Sequence, residues 1–279
     1  MQEPENGVPA PQRAGRDLPI AIVTALILAG LIFATLFTSR VAFFVLVSVA
    51  VLAAQWELYR ALRTHGFKPA DLVGIAAGAL ILIGAYRNGP TALSFGLTMA
   101  VAATFVWFLL ENSRERVAEN IAATLLGVLY VPFFGAHVIL MTGLPHGAAI
   151  TISYIGLVAF TDIGAYAAGS LFGKHPMAPS VSPKKSWEGT VGATLVVFVA
   201  ALIGGNFMPP FSLGSALALA AVVAIVSPLG DLAESLIKRD LGVKDMGTIL
   251  PGHGGVLDRI DSLLLVAPAA YWLIRVVVF

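Results

Sequence analysis

Residues 18–39 read LPIAIVTALILAGLIFATLFTS, twenty-two in a row without a charge. A helix crosses the hydrocarbon of a bilayer with about 20 mostly apolar residues, so this stretch reads as a spanning helix. It exceeds the roughly 7–15 apolar residues of a signal-peptide core, and no convincing Ala-x-Ala cleavage site follows it. Barrel strands alternate apolar and polar positions over about 10 residues, whereas this run is continuously apolar. Helices are therefore the way this chain satisfies its backbone in lipid.

The same pattern recurs along the chain. Charge-free stretches occupy Val41–Trp56, Leu72–Tyr86 and Asn88–Leu110. Uncharged runs from Asn120 to Thr161 and from Gly189 to Gly230 are each 42 residues, too long for one crossing. The first breaks at Leu144-Pro145-His146-Gly147 and the second at Asn206-Phe207-Met208-Pro209-Pro210. A last apolar stretch ends the chain. The sequence thus predicts an all-α integral membrane protein with about nine transmembrane helices, near 18–38, 40–57, 70–86, 91–110, 120–142, 148–172, 189–205, 212–230 and 262–278.

Composition agrees. Of 279 residues, 58% are hydrophobic and 12% charged, against about 45–50% and about 25% in soluble domains. A soluble enzyme and a disordered chain are both excluded. Cysteine is absent, which removes disulfides, thiolate metal sites and cysteine nucleophiles. The net charge of +1 argues against a general polyanion binder, and nucleic acid is not expected as a partner. With the N-terminus placed inside, Arg40, Arg87 and Arg275 alone among the 17 basic residues fall outside, leaving 14 on the cytoplasmic side. Basic residues collect in cytoplasmic loops, so the reading is N-terminus cytoplasmic and C-terminus outside. Residues 1–17, rich in Pro and Gly, read as a disordered cytoplasmic tail, and 18–279 as a single polytopic domain.

Charge is not spread evenly. Six of the 16 acidic residues lie between Asp231 and Asp261, in a stretch with four basic ones. Charges beside or within spans are costly and are functional candidates by default. Asp231 follows Pro228-Leu229-Gly230 and reads as the start of a cytoplasmic helical segment. There Asp231, Glu234, Ser235 and Lys238 share one helical face, as i, i+3, i+4 and i+7. From spacing alone this face fits a solvated helix equally well. In Pro251-Gly-His-Gly-Gly-Val-Leu-Asp-Arg-Ile-Asp261 the glycines permit positive φ and close ligand approach. Free N–H groups in such a turn can hold phosphate oxygens. Asp258 and Asp261, three apart, begin the last helix, although an acidic helix start and a glycine turn are also ordinary structure. In the loop 173–188, Ser182, Lys184, Lys185 and Ser186 are phosphate-binding types, and Pro176, Pro179 and Pro183 stiffen it beyond what a tether needs. The same loop also satisfies the positive-inside pattern. Asp162 lies well inside a span, where a carboxylate calls for a partner or a cation. Carboxylates for a hard cation, cations for phosphate and a glycine-rich backbone together suggest phosphoryl or nucleotidyl transfer at the membrane surface. No Walker A or kinase motif is present.

The segment Ser235–Asp261 resembles the signature of phosphatidate cytidylyltransferases, Ser-x-x-Lys-Arg, four residues, Lys-Asp, then Pro-x-His-Gly-Gly-x-x-Asp-Arg-x-Asp. Every fixed element stands at its spacing over 27 residues. Thr161-Asp-Ile-Gly-Ala-Tyr166 and Ser182-Pro-Lys-Lys-Ser-Trp-Glu-Gly189 are similar to two further blocks of the family, with Ser186 where threonine is common. The likeness covers about residues 155–265, the expected catalytic part. It implies CTP + phosphatidic acid → CDP-diacylglycerol + pyrophosphate for phospholipid synthesis, with Mg²⁺ required and a second, monovalent cation left open. It further implies a multi-pass protein of the cell (inner) membrane, its site facing the cytoplasm, with a homodimer left open. The residue assignments that follow are Asp231 and Asp258 as metal ligands supported by Asp261 and Asp162, and Lys238 and Arg259 as catalytic cations. Ser182, Lys184, Lys185, Ser235, Arg239 and Lys244 would meet substrate phosphates, and His253, Gly254 and Gly255 would shape the triphosphate loop. The aspartate pattern of CDP-alcohol phosphotransferases is absent, and no duplicated half suggests a secondary transporter.

Overall fold

Apolar runs in lipid fold as helices because each backbone N–H then finds its carbonyl within the segment. The computed structural model describes residues 18–112, 114–205, 209–250, 252 and 254–279. The expected N-terminal tail lies outside the described residues. In order come α1 (Leu18–Thr38), α2 (Arg40–Thr64), α3 (Asp71–Asn88), α4 (Thr91–Leu110), α5 (Val117–Val128) and α6 (Phe134–Thr142). They are followed by α7 (Gly147–Phe172), a hairpin of β1 (Pro176–Ala178) and β2 (Ser182–Ser186), α8 (Trp187–Gly204), α9 (Leu213–Asp240) and α10 (Leu257–Val277). Among the described residues, eight helical rods are long and apolar enough to cross a membrane, with α5 and α6 counted as one, and α1 adds a shorter apolar stretch at Ile22–Thr38.

Three boundaries differ from the sequence reading, each for a physical reason. The span expected at 120–142 is interrupted by a π-helical turn, Leu129–Phe133, around Pro132. Proline lacks the N–H that an α-turn needs there. Helix α2 runs on to Thr64, past the charges at Glu57 and Arg60 that suggested an end at 57. Helix α9 does not stop at Gly230: it continues through Pro228 to Asp240, so Asp231 lies within a helix rather than at the start of one. At 1.5 Å per residue, 28 residues extend about 42 Å, more than a bilayer core of ~30 Å, so the charged last turns emerge at the membrane face.

Large apolar side chains point outward, among them Leu26, Leu80, Phe95, Val191 and Val276, as lipid-facing helices require. Inside, small residues bring helices together. A Cβ on Gly192 of α8 would stand 2.1 Å from the Cβ of Ala168 on α7, and one on Gly230 of α9 would stand 2.8 Å from the Cα of Ser262 on α10. Close backbone approach of this kind is the usual glue between membrane helices. It fixes α7, α8, α9 and α10 as the frame on which the charged residues sit.

Candidate active site

The loop 173–188, expected to be stiffened by its prolines, folds as an antiparallel hairpin, with Pro176 opposite Ser186 and Ala178 opposite Ser182. Its base is closed by Glu188, which accepts the N–H groups of Lys174 and His175 at 3.2 Å each and Nδ1 of His175 at 2.5 Å. Ser186 accepts the N–H of Gly189 at 3.1 Å and so caps α8. Near the tip, Arg239 Nε donates to the Val181 carbonyl at 3.0 Å, pinning the hairpin to the end of α9. A topology signal alone needs none of this architecture. The hairpin holds Ser182, Lys184 and Lys185 over the bundle.

Beneath the hairpin lies a cavity of about 1010 Å³. Its walls include Asp162 of α7, Ser182, Lys184 and Lys185 of β2, Asp231 and Lys238 of α9, and Asp258, Arg259 and Asp261 at the start of α10. Nine of the sequence-nominated residues thus face one space although the chain separates them by up to a hundred positions. Ser235, Arg239, Lys244, Gly254 and Gly255 do not line it. Ser235 instead donates to Asp231 at 3.4 Å, while Arg239 is occupied with the hairpin. His253 lies outside the described residues. Helix α1 closes the far wall with Ala25, Leu28, Ala29 and Ile32, one helical face at i, i+3, i+4 and i+7. The cavity therefore passes from a charged mouth to an apolar wall.

Ion pairing within the site divides the aspartates into two kinds. Lys185 Nζ lies 2.6 Å from Asp231 Oδ2 and 3.3 Å from the carbonyl of Pro228. Asp162, Asp231 and Asp261 lie close enough to repel one another. Asp258 is engaged elsewhere: Oδ1 accepts from Lys238 Nζ at 2.9 Å, and Oδ2 accepts the N–H groups of Met246 and Gly255, each at 2.9 Å. Lys238 also pairs with Glu234 at 2.5 Å. Asp231 thus pairs with Lys185 and stands near Asp162 and Asp261, while Asp258 is held by Lys238 and the loop backbone; both aspartates line the same cavity. The reason is the continuity of α9. With no turn at Gly230, Asp231 and Lys238 stand about 10 Å apart along the axis at 1.5 Å per residue, and each meets a different part of α10.

Two residues of this neighbourhood were not nominated from the sequence. Glu234 is fully buried, and Asp245 lines the cavity. The signal for Glu234 was available, since it shares the helical face already noted, but a carboxylate with a lysine at i+4 also reads as an ordinary helix pair.

A space lined by lysine, arginine and carboxylate has little to offer a neutral solute; its chemistry suits phosphate esters, and in a bundle of apolar helices it marks a membrane enzyme of nucleotidyl or phosphoryl transfer. The Cytidylyltransferase family model matches residues 19–277. A phosphatidate cytidylyltransferase of Mycobacterium leprae (strain TN) is 34% identical over 93% of this chain and 88% of its own. One of Mycobacterium bovis is 35% identical over 93% and 89%, and one of Synechocystis is 30% identical over 91% and 95%. The chain belongs to the cytidylyltransferase family, and it is a nucleotidyltransferase.

Proposed function

We propose that this protein transfers the cytidylyl group of CTP to phosphatidic acid, giving CDP-diacylglycerol and pyrophosphate. The observation that carries the reading is the single cavity whose mouth holds Lys184, Lys185 and Arg259 while its far wall is the apolar face of α1. A nucleoside triphosphate needs the first and a diacyl lipid needs the second. Named relatives that act on phosphatidate support the same choice.

A phosphate oxygen of phosphatidate attacks the α-phosphorus of CTP, and the bond from that phosphorus to the bridging oxygen of pyrophosphate breaks. The lipid phosphate is already ionised, so the chain has to supply position and charge rather than a strong base. Lys184, Lys185 and Arg259 bind the phosphates, and Ser182 donates to them. Lys238, fixed between Glu234 and Asp258, presents a preorganised positive charge below. Lys185 leaves Asp231 to meet an incoming phosphate.

The donor chemistry fits Mg²⁺. Asp162, Asp231 and Asp261 are hard oxygen ligands on one side of the cavity. No ready-made set of three metal-ligating side chains surrounds one point among the described residues. Mg²⁺ typically takes one or two carboxylates and completes its shell with substrate phosphates and water, which such a half-site suits. Asp231, with Asp261 and Asp162, would hold the ion; Asp258, with both oxygens taken, would not. Bound there, Mg²⁺ neutralises phosphate charge.

The orientation that follows from the basic residues puts the hairpin and the 241–256 loop in the cytoplasm of the cell membrane, where CTP is. The test is turnover of labelled CTP and phosphatidate by purified protein with Mg²⁺. CDP-diacylglycerol must appear, and its absence with folded protein would overturn the reading.

A further inference from the structure

Another buried carboxylate stands behind the site, on a helix that the transfer chemistry does not use. Glu57 of α2 is 1% exposed. Its Oε2 accepts the N–H of Leu257 at 3.0 Å, across 200 residues of chain. The backbones of Val256 and Ile249 lie alongside the same carboxylate. Helix α10 has no side-chain cap of its own at Val256, so its exposed N–H groups meet this carboxylate from a different helix. The positive end of a helix dipole favours a negative charge there.

The fit around Glu57 is tight. A Cβ at Gly247 would lie 2.1 Å from Glu57 Oε1, and one at Gly255 would lie 2.8 Å from Glu57 Oε2 and 2.7 Å from Asp258 Oδ2. A side chain at either position would crowd these carboxylates. The loop between α9 and α10 is consequently held by two carboxylates at once. Asp258 takes the N–H groups of Met246 and Gly255, and Glu57 takes that of Leu257. Two neighbouring acids cost free energy in a buried place unless each is satisfied; the loop backbone donates to Asp258 Oδ2 and Glu57 Oε2, while Glu57 Oε1 has no hydrogen-bond partner among the described residues. Glu57 is not itself part of the cavity wall.

We infer that Glu57 is a positioning residue: by capping α10 from α2 it sets the 246–257 loop, and through it the Asp258–Lys238 pair, Arg259 and Asp261, in the arrangement that the transfer requires. The role rests on the cytidylyltransfer reading for its kinetic consequence, but not for its structural one. The carboxylate of Glu57 couples the first half of the membrane domain to the second, which otherwise carries the chemistry.

The test uses the full-length protein in detergent micelles, with hydrogen–deuterium exchange of residues 246–257 and steady-state kinetics measured on the same preparations. Glu57→Gln keeps an acceptor oxygen and nearly the same volume while removing the charge. The expected result is an unchanged unfolding midpoint and faster exchange confined to the 246–257 segment. With these go a kcat lower by about tenfold to a hundredfold, the scale of a displaced catalytic group, and a KM for phosphatidate within about twofold of wild type. Gly247→Ala approaches the same contact from the loop side and is expected to give the same pattern, which keeps the test decisive if the Gln variant fails to fold. Wild-type exchange in either folded variant, or an unfolding midpoint that falls in step with activity, would overturn the assignment. If wild-type protein shows no cytidylyltransfer at all, the functional reading fails while the exchange result still judges the clamp.

Discussion

Lys238 offers the most direct test of how the site is held. Its ammonium lies 2.5 Å from Glu234 and 2.9 Å from Asp258, and those side chains are 1% and 3% exposed. Glu234 Oε1 has no hydrogen-bond partner, so the lysine is the main compensation for a buried carboxylate. Lys238→Met keeps the aliphatic stem and removes the charge, leaving two acids without their shared cation. Breaking a buried pair by deleting one partner costs about 3–5 kcal/mol. At roughly 2–4 °C per kcal/mol for a chain of this size, the unfolding midpoint should fall by about 6–20 °C. Adding Glu234→Gln removes the less satisfied of the two acids, so the double variant should recover about 1–3 kcal/mol, the penalty of an unsatisfied buried group. The measurement is thermal unfolding in detergent followed by circular dichroism, at fixed lipid and protein concentration. A Lys238→Met protein as stable as wild type, or a double variant less stable than the single, would refute the view that Lys238 neutralises this buried pair.

Four further outcomes follow from the site and from the distribution of basic residues. Asp231→Asn should lower turnover by about 10²-fold, the effect of losing one preorganised charged group, and extra Mg²⁺ should recover part of it and also raise the unfolding midpoint less than in wild type. Asp258→Asn should lose comparable activity without any Mg²⁺ rescue, and equal rescue of both variants would return Asp258 to the metal. Replacing both Lys184 and Lys185 by Ala should raise the KM for CTP by at least ~tenfold, about 1.4 kcal/mol, while the protein still inserts and purifies; wild-type kinetics at limiting CTP would make the hairpin a topology device only. Accessibility labelling at positions 65, 115, 180 and 245 should place all four on the cytoplasmic side, and labelling of 180 or 245 from outside would sink the proposed orientation.

The spans were legible because lipid leaves the chain so few choices. A run such as residues 18–39 has only helix available to it, and eight further runs were readable on the same ground. What the sequence could not show was where charge overrides a boundary. Glu57 and Arg60 looked like the end of α2, and Gly230-Asp231 like the end of a span, because a charge beside an apolar run ordinarily marks the membrane surface. Both helices continue, and in each case the charge within the helix has a specific partner: Leu257 N–H for Glu57, Lys185 for Asp231. A pairing made across 200 residues leaves no trace in local periodicity. The hairpin escaped for a related reason. Three prolines and three serines read as a stiff loop, but the strand pairing depends on Glu188 and Arg239 closing its two ends, and neither is adjacent to the strands' turn.

The candidate site was legible as a set of residues and not as a set of partnerships, and the difference is physical. Spacing on α9 placed Asp231, Glu234, Ser235 and Lys238 on one face correctly, since 3.6-residue periodicity is local. Which acid meets which cation depends instead on how α9 crosses α10, and that crossing is set by a glycine. At Gly230 any side chain would collide with the Ser262 backbone, so the two helices touch there. The contact point puts Asp231 on the side of Asp261 and the hairpin, and leaves Lys238, two turns on, to reach Asp258. A sequence reading sees Asp231 and Asp258 as the two acids flanking a glycine turn and brings them together. The helix pair gives them different partners in one cavity: Asp231 pairs with Lys185 of the hairpin, and Asp258 holds Lys238 and the loop backbone.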